Sequence, residues 1–170
     1  MSKYMNPWVL GGLKAIVVLI WLACLWGQVF AVPTLSAAMA GLYPGQAAMR
    51  WPYLVLGVLF LLCVEAAFVG VWRLFSLSGS GVVFTAKARP CVNLIIGGAS
   101  VGTVLTAVVL ACFAVTGSSD AAMPAMDFFS VLAVLGATLV AEIGFILLMV
   151  VMKGLLRAAT DQSDELEQVI

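Results

Sequence analysis

The sequence predicts an all-α integral membrane protein, a four-helix transmembrane bundle with both termini in the cytoplasm, from its composition and its pattern of apolar segments. Of its 170 residues, 64% are hydrophobic and 9% are charged, against about 45–50% and about 25% in soluble domains. The mean hydropathy is +1.18. So few charges cannot cover the surface of a soluble domain, which excludes a soluble enzyme, a disordered chain and a free nucleic-acid-binding protein.

Four apolar segments are each long enough to cross a bilayer, which takes about 20 residues of helix. Stretches rich in proline and glycine separate them, and Pro33 is expected to end the first. Runs of this length do not suit the short alternating strands of a membrane β-barrel. We expect one domain over residues 1–170 with a short tail at 153–170. The predicted spans are about 8–32, 53–75, 92–116 and 128–152.

The basic residues are distributed unevenly between the two sides of the predicted membrane. Of the eight lysine and arginine residues, Arg50 alone lies on the second side. Because basic residues are retained on the cytoplasmic side, we expect both termini in the cytoplasm. The residues on that side are Lys3, Lys14, Arg73, Lys87, Arg89, Lys153 and Arg157.

Small residues recur every four positions in the predicted spans and favour close helix packing. Lipid supplies no hydrophobic drive between helices, so glycine and alanine serve at their contacts. This spacing does not distinguish packing within one chain from a homo-oligomer. The clearest rows are Gly98, Gly102 and Thr106 in the third span, and Ala133, Ala137 and Ala141 in the fourth.

Two carboxylates lie inside the predicted spans. Glu65 is about 12 residues into the second span and Glu142 about 14 into the fourth, which gives depths of roughly 18 and 21 Å. Both spans should run in the same direction, so the two side chains are expected at similar depth near the midplane. A charge at that depth is costly, usually faces the bundle interior and often marks a function.

Other polar side chains accompany the two carboxylates. Thr138 lies one turn before Glu142 on the same helix face, and Gln28 lies near the predicted outer end of the first span. Lys14 should either extend to the cytoplasmic surface or reach down toward Glu65. We therefore predict an intramembrane polar site of Glu65, Glu142, Thr138 and Lys14. It is either a site for a proton or a cationic ligand, or a buried contact that fixes helix register.

The sequence offers little for catalysis or cofactor binding. It has no histidine, and its four cysteines are scattered without a C-x-x-C pair. Histidine-based acid–base catalysis is therefore excluded, and no metal-ligand or redox pattern is present. We expect no enzyme activity and no catalytic residue, cofactor or metal site.

Two predicted cytoplasmic segments have features of a docking surface. The second connection, 78–87, combines Ser-Gly repeats with an apolar run. The basic residues Lys87 and Arg89 suit contacts with anionic headgroups. Two basic residues are too few for a nucleic-acid surface. The tail starts basic and ends acidic, and its helix could continue to about Leu166. This acidic end is either a solvated helix end or a docking peptide for a basic cytoplasmic protein. The predicted docking residues are Asp161, Asp164, Glu165, Leu166 and Glu167.

Short motifs resemble a bacterial membrane family known as domain of unknown function 2975. They are Gly81-Val82-Val83-Phe84-Thr85 in the second connection and the segments 151–160 and 164–170. The resemblance covers essentially the whole chain, although 86–90 replaces an Asn-containing stretch of the family. It implies four spans, cytoplasmic termini and an acidic end in a bacterial inner membrane. Members are often encoded beside a small helix-turn-helix regulator, which by association implies a partner of that kind.

Three functions remain open from the sequence. The first is a non-enzymatic regulatory or sensory protein that signals to a cytoplasmic helix-turn-helix regulator through the second connection and the tail, without contacting nucleic acid itself. The alternative is a small proton- or cation-linked transporter that uses Glu65 and Glu142, as an oligomer. The third is an immunity or membrane-stress protein without a ligand.

Overall fold

Four long helical segments make up the computed structural model, which describes residues 7–79 and 89–167. The first segment contains a π turn, and a 3₁₀ turn at Pro44–Met49 leads into the second. The prediction of an all-α fold is confirmed. The helices are α1 (Pro7–Trp26), the π turn (Gly27–Ala31), α2 (Val32–Leu42), α3 (Arg50–Gly79), α4 (Arg89–Ser118) and α5 (Ala125–Glu167).

Each helical segment contains a stretch that is long and apolar enough to cross a membrane. Few residues of these stretches are buried inside the chain, and none is in the most apolar part of α5. Apolar side chains that face outward are typical of helices surrounded by lipid. The prediction of four membrane-spanning helices is confirmed. The stretches are Gly11–Leu42, Pro44–Ser76, Pro90–Ser118 and Ala125–Leu155.

The first segment continues past Pro33, whereas the sequence predicted that it would end there. The π turn ends just before α2, so this proline falls in the first turn of α2. A proline is tolerated in a first helical turn, because its fixed φ suits the helix and its missing N–H costs little there. The helix therefore runs on to Leu42. The chain leaves helical geometry at Tyr43 (φ −124°, ψ 99°), next to Pro44.

The helices pack mainly against their neighbours in the chain. α3 contacts α1 and α2 as well as α4, and α4 also contacts α5. A Cβ added at Gly98 would lie 3.0 Å from the carbonyl oxygen of Cys63, and one at Gly102 would lie 3.5 Å from the Phe60 ring. The small-residue row of α4 therefore packs against α3, as expected from its spacing.

The small-residue row of α5 has a different environment. Ala133, Ala137 and Ala141 are exposed. A Cβ added at Gly136 or Gly144 would meet nothing within 4 Å. Unlike the row of α4, this row therefore lies mostly on the outer surface of α5.

The bundle has one end rich in basic residues, and α5 extends far beyond it. Lys14, Arg73 and Lys153 lie toward this end, which we call the basic end. The 43 residues of α5 correspond to about 65 Å, about twice the thickness of a hydrocarbon core. The expected continuation of the fourth helix into the tail is confirmed, since α5 ends at Glu167.

Candidate intramembrane carboxylate site

Glu142 lies on the face of α5 that contacts α4. The hydroxyl of Thr106, a residue only 6% exposed, donates to Oε1 of Glu142 at 2.9 Å. The second oxygen, Oε2, is buried and has no hydrogen-bond partner. A buried polar atom without a partner costs free energy, so a donor placed at Oε2 would be stabilising.

A cavity of about 340 Å³ lies beside Glu142, between α3, α4 and α5. Thr138 also lines this cavity, and its hydroxyl donates to the carbonyl oxygen of Val134 at 2.9 Å. A hydroxyl that donates one hydrogen bond can still accept another. The cavity is therefore an apolar space with two acceptors on one face of α5. Its other lining residues include Phe60, Phe68, Gly98, Gly102, Ala141 and Phe145.

Glu65 lies on another face of α3, against the first helical segment. Gln28 in the π turn donates through Nε2 to Oε1 of Glu65 at 3.1 Å, and Nε1 of Trp21 donates to the Glu65 carbonyl oxygen at 3.3 Å. Cys63 and Ala67, which line the cavity at Glu142, lie two positions to either side of Glu65. At about 100° per residue they lie on the opposite face of α3. The structure therefore divides the predicted polar site in two.

Lys14 is connected to the Glu65 side of the molecule through aromatic rings. Its Nζ lies 5.4 Å from the centre of the Trp72 ring, within cation–π range. Trp72 stacks on Trp21 with ring centres 5.9 Å apart. Trp21 in turn makes the hydrogen bond to the main chain of Glu65. Two stacked rings therefore connect Lys14 to Glu65.

A polar cluster at the end opposite the basic end was not predicted. Gln46 in the 3₁₀ turn is 1% exposed, and its Oε1 accepts from the hydroxyls of Tyr53 and Thr116, each at 3.0 Å. The hydroxyl of Tyr43 donates to Oδ2 of Asp127 at 2.7 Å. These bonds join the connection between α2 and α3 to both α4 and α5. Apart from Asp127, the cluster consists of uncharged side chains near the ends of spans, which give no sequence signal for it.

The connection between α4 and α5 approaches the 3₁₀ turn closely at Gly45. A Cβ added there would lie 2.6 Å from Oδ2 of Asp120, so a larger residue would displace this carboxylate. Nearby, the hydrogen bond to Asp127 raises the pKa of Tyr43 above its ordinary value of 10, and desolvation and the negative charges of Asp127 and Asp120 raise it further. The two connections are therefore coupled electrostatically as well as sterically.

The predicted docking segments are described only in part. The tail residues 161–167 are helical in α5, and their side chains lie outside the described residues. Of the second connection, 78–87, the first two residues belong to α3 and the rest lie outside the described residues. The predicted contacts of Lys87 and Arg89 with headgroups also lie outside the described side chains. The tail residues concerned are Asp161, Asp164, Glu165, Leu166 and Glu167.

Sequence reasoning did not identify Gln28 and Thr106 as partners of the carboxylates. The sequence places Gln28 near the outer end of a span expected to finish at about Val32, and this position does not indicate a contact with Glu65. Thr106 was assigned to a small-residue row. Its spacing from Gly98 and Gly102, which places it on an inward face, was the available signal.

One known protein family matches most of the chain. Residues 34–170 match the family described as "Protein of unknown function (DUF2975)". This region begins in α2 and includes both intramembrane carboxylates and all of α5. No match was found among curated proteins or among solved structures.

Proposed function

The chain belongs to the DUF2975 family of proteins of unknown function, and from this premise we propose that it is a non-enzymatic regulatory protein of the bacterial inner membrane. It senses the state of Glu142 and passes that state through α5 to a cytoplasmic partner. One observation carries the proposal. Glu142, whose Oε2 is buried without a partner, and the acidic tail belong to a single uninterrupted helix, Ala125–Glu167. A rigid element that spans two sites can transmit a shift from one to the other.

The charge distribution supports a cytoplasmic location for the tail. Lys14, Arg73 and Lys153 lie at the basic end, where α1 begins and from which α5 extends. Under the positive-inside rule this end faces the cytoplasm, so both termini lie inside. The tail is then accessible to soluble cytoplasmic proteins.

The tail fits a basic partner. Four of its last residues are acidic, and they follow the membrane-proximal Arg157 along one helix. A small helix-turn-helix regulator carries basic residues for DNA phosphates, and such a surface is complementary to the tail. The same charge repels phosphate, which supports a protein rather than a nucleic acid as the partner of the tail. The acidic residues are Asp161, Asp164, Glu165 and Glu167.

A proton- or cation-linked transporter, working as an oligomer, is the second candidate. A carrier that uses both carboxylates needs them on one path across the membrane. The partners of Glu65 and Glu142 lie on opposite sides of α3. Each carboxylate lines its own cavity, Glu65 one of about 380 Å³ and Glu142 one of about 340 Å³. Two separate sites do not form the shared path that such a carrier needs, which favours the sensor. We therefore expect that no proton-linked flux into reconstituted vesicles depends on both carboxylates. A flux that is abolished by Glu65→Gln and also by Glu142→Gln would favour the transporter.

Co-purification from native membranes tests the proposed function. The full-length protein is crosslinked and purified beside a chain that ends at Arg157. A matched variant keeps the length of α5 but replaces the four acidic tail residues by their amides. We expect a small protein with a helix-turn-helix domain to be recovered with the full-length chain and lost from both altered forms. Its recovery with the shortened chain, or its absence from the full-length sample, contradicts the proposal.

A further inference from the structure

The cavity beside Glu142 has the features of a site for a lipophilic amine. We propose that it binds a small amphiphile with a primary ammonium group, which contacts Oε2 of Glu142 while the apolar part fills the space between α3, α4 and α5. This inference rests on the proposed function, because it names the chemical class of the stimulus that Glu142 senses.

The unpartnered oxygen of Glu142 can accept from a donor that comes from outside the chain. Oε1 of Glu142 accepts from Thr106, while Oε2 is buried and unpartnered. An ionised carboxylate inside the hydrocarbon region is costly unless a cation compensates it. Among the described residues that line the cavity, none is lysine or arginine. A ligand cation at Oε2 would supply the missing compensation.

The arrangement of acceptors favours an ammonium group over an anion. Thr138 and Glu142 are four residues apart on α5, so their side chains are neighbours on one helix face. The Thr138 hydroxyl donates to Val134 and keeps lone pairs that can accept. An ammonium group has three N–H donors and can donate to the hydroxyl oxygen of Thr138 and to Oε2 of Glu142. A ligand carboxylate or phosphate would be repelled by Glu142.

The apolar part of the cavity suits a small hydrophobic body. Three lining side chains are aromatic, Phe60, Phe68 and Phe145, and aromatic faces attract cations within about 6 Å. The volume of about 340 Å³ is near the lower limit of known ligand sites, which span about 300–1,000 Å³. Phe145 is 45% exposed, so the cavity reaches the lipid-facing surface. An amphiphile dissolved in the bilayer can enter from the side.

Fluorine NMR with two skeleton-matched probes tests the proposal. The protein is placed in phosphatidylcholine nanodiscs and titrated with para-trifluoromethylbenzylamine or with the corresponding benzyl alcohol. We expect saturable binding of the amine and at least about tenfold weaker binding of the alcohol, since the alcohol lacks the charge-assisted hydrogen bond. Glu142→Gln should weaken amine binding about tenfold, whereas the control Glu65→Gln should change it by less than about twofold.

A second pair of variants tests the space in the cavity separately from the carboxylate of Glu142. Ala141→Leu places a larger side chain in the cavity and leaves Glu142 unchanged. Ala141 and Ala137 are both exposed, and Ala137 does not line the cavity. We therefore expect Ala141→Leu to abolish saturable amine binding and Ala137→Leu to preserve it, with both proteins keeping the thermal stability of the wild type.

Several results would overturn the proposal. They are equal binding of amine and alcohol, equal losses in Glu142→Gln and Glu65→Gln, amine binding that persists in Ala141→Leu, or no saturable binding at all. The failure of this proposal can be distinguished from the failure of the proposed function. Recovery of the regulator without amine binding removes the ligand proposal alone, and amine binding without a recovered regulator removes the regulatory proposal alone.

Discussion

The hydroxyl of Thr106 donates to Oε1 of Glu142 across 2.9 Å and joins α4 to α5 inside the predicted membrane region. This bond holds one carboxylate oxygen and leaves the other, Oε2, buried without a partner. Hydrogen bonds between membrane helices contribute about 0.6 kcal/mol on average and up to about 2 kcal/mol. The contact therefore stabilises the pairing of α4 and α5 moderately while fixing Glu142 beside its cavity.

Thr106→Val should destabilise the protein by about 1 kcal/mol, because it removes the donor to Glu142 without changing the volume much. Unfolding in mixed detergent micelles measures this change. Thr103→Val is the matched control, since the Thr103 hydroxyl donates to the carbonyl oxygen of Ala99 in its own helix at 3.0 Å. Equal losses in the two variants would contradict a specific role for the interhelical bond.

Gln28 and Glu65 should show energetic coupling. The 3.1 Å bond between them is lost in either Gln28→Leu or Glu65→Leu, and each variant should lose about 1 kcal/mol of unfolding free energy. The double variant should lose less than the sum, because the second substitution has no bond left to remove. Glu65→Gln should stay near the wild type, since it keeps an acceptor oxygen. Additive losses in the same unfolding assay would show that the pair does not interact.

Gly70→Ala should destabilise the contact between α3 and α4 by about 1–3 kcal/mol. The added Cβ would lie 2.8 Å from Cγ1 of Ile95 and 2.9 Å from the carbonyl oxygen of Cys91. Gly97→Ala is the control, because a Cβ there meets nothing within 4 Å. The midpoints of thermal unfolding in detergent report both changes. A Gly97→Ala protein as unstable as Gly70→Ala would mean that helix contact is not the cause.

The contact of Tyr43 with Asp127 should weaken at high pH. The hydrogen bond raises the pKa of Tyr43 above 10 in the folded protein, so its contribution to stability is complete below pH 10 and is lost as the pH rises through the folded-state value. Asp127→Asn removes the negative charge and should return the pKa toward 10. Carbon NMR of labelled tyrosine, assigned with Tyr43→Phe, follows this titration. An unchanged Tyr43 titration in Asp127→Asn would refute the assignment.

The helices were predictable from the sequence, and the length of the first one was not. Runs of about 20 apolar residues specify membrane helices whatever their neighbours. Pro33 was expected to end the first helix, but a π turn immediately before it places the proline in a tolerated position. A π turn has no compositional signal of its own. The continuation of the first helix past Pro33 therefore depends on packing against α3, which the sequence alone does not show.

The two carboxylates were identifiable because a charged residue inside an apolar run is conspicuous. Their partners were not, since Gln28 and Thr106 are uncharged and their roles depend on how each helix is rotated about its axis. Rotation also decides that Glu65 and Glu142 lie on opposite sides of α3. The sequence predicts how deep each carboxylate lies along its span. Because depth does not show which way a side chain faces, depth alone placed Glu65 and Glu142 in one site.

The most direct test of the central claim measures whether the state of Glu142 moves the tail. Spin labels at Ser76 and Ala158, in a protein whose four cysteines are replaced by alanine, report the distance between the ends of α3 and α5 by pulsed electron resonance. Gly154 is exposed, and a Cβ there meets nothing within 4 Å. Gly154→Ala therefore keeps α5 continuous, whereas Gly154→Pro interrupts it between Glu142 and the label.

We expect Glu142→Gln to shift the mean distance by about 2 Å in the Gly154→Ala protein, the size of typical helix displacements in switching proteins. The same substitution should leave the distance unchanged in the Gly154→Pro protein. An unchanged distance in the Gly154→Ala protein, or an equal shift in both, would contradict transmission through α5.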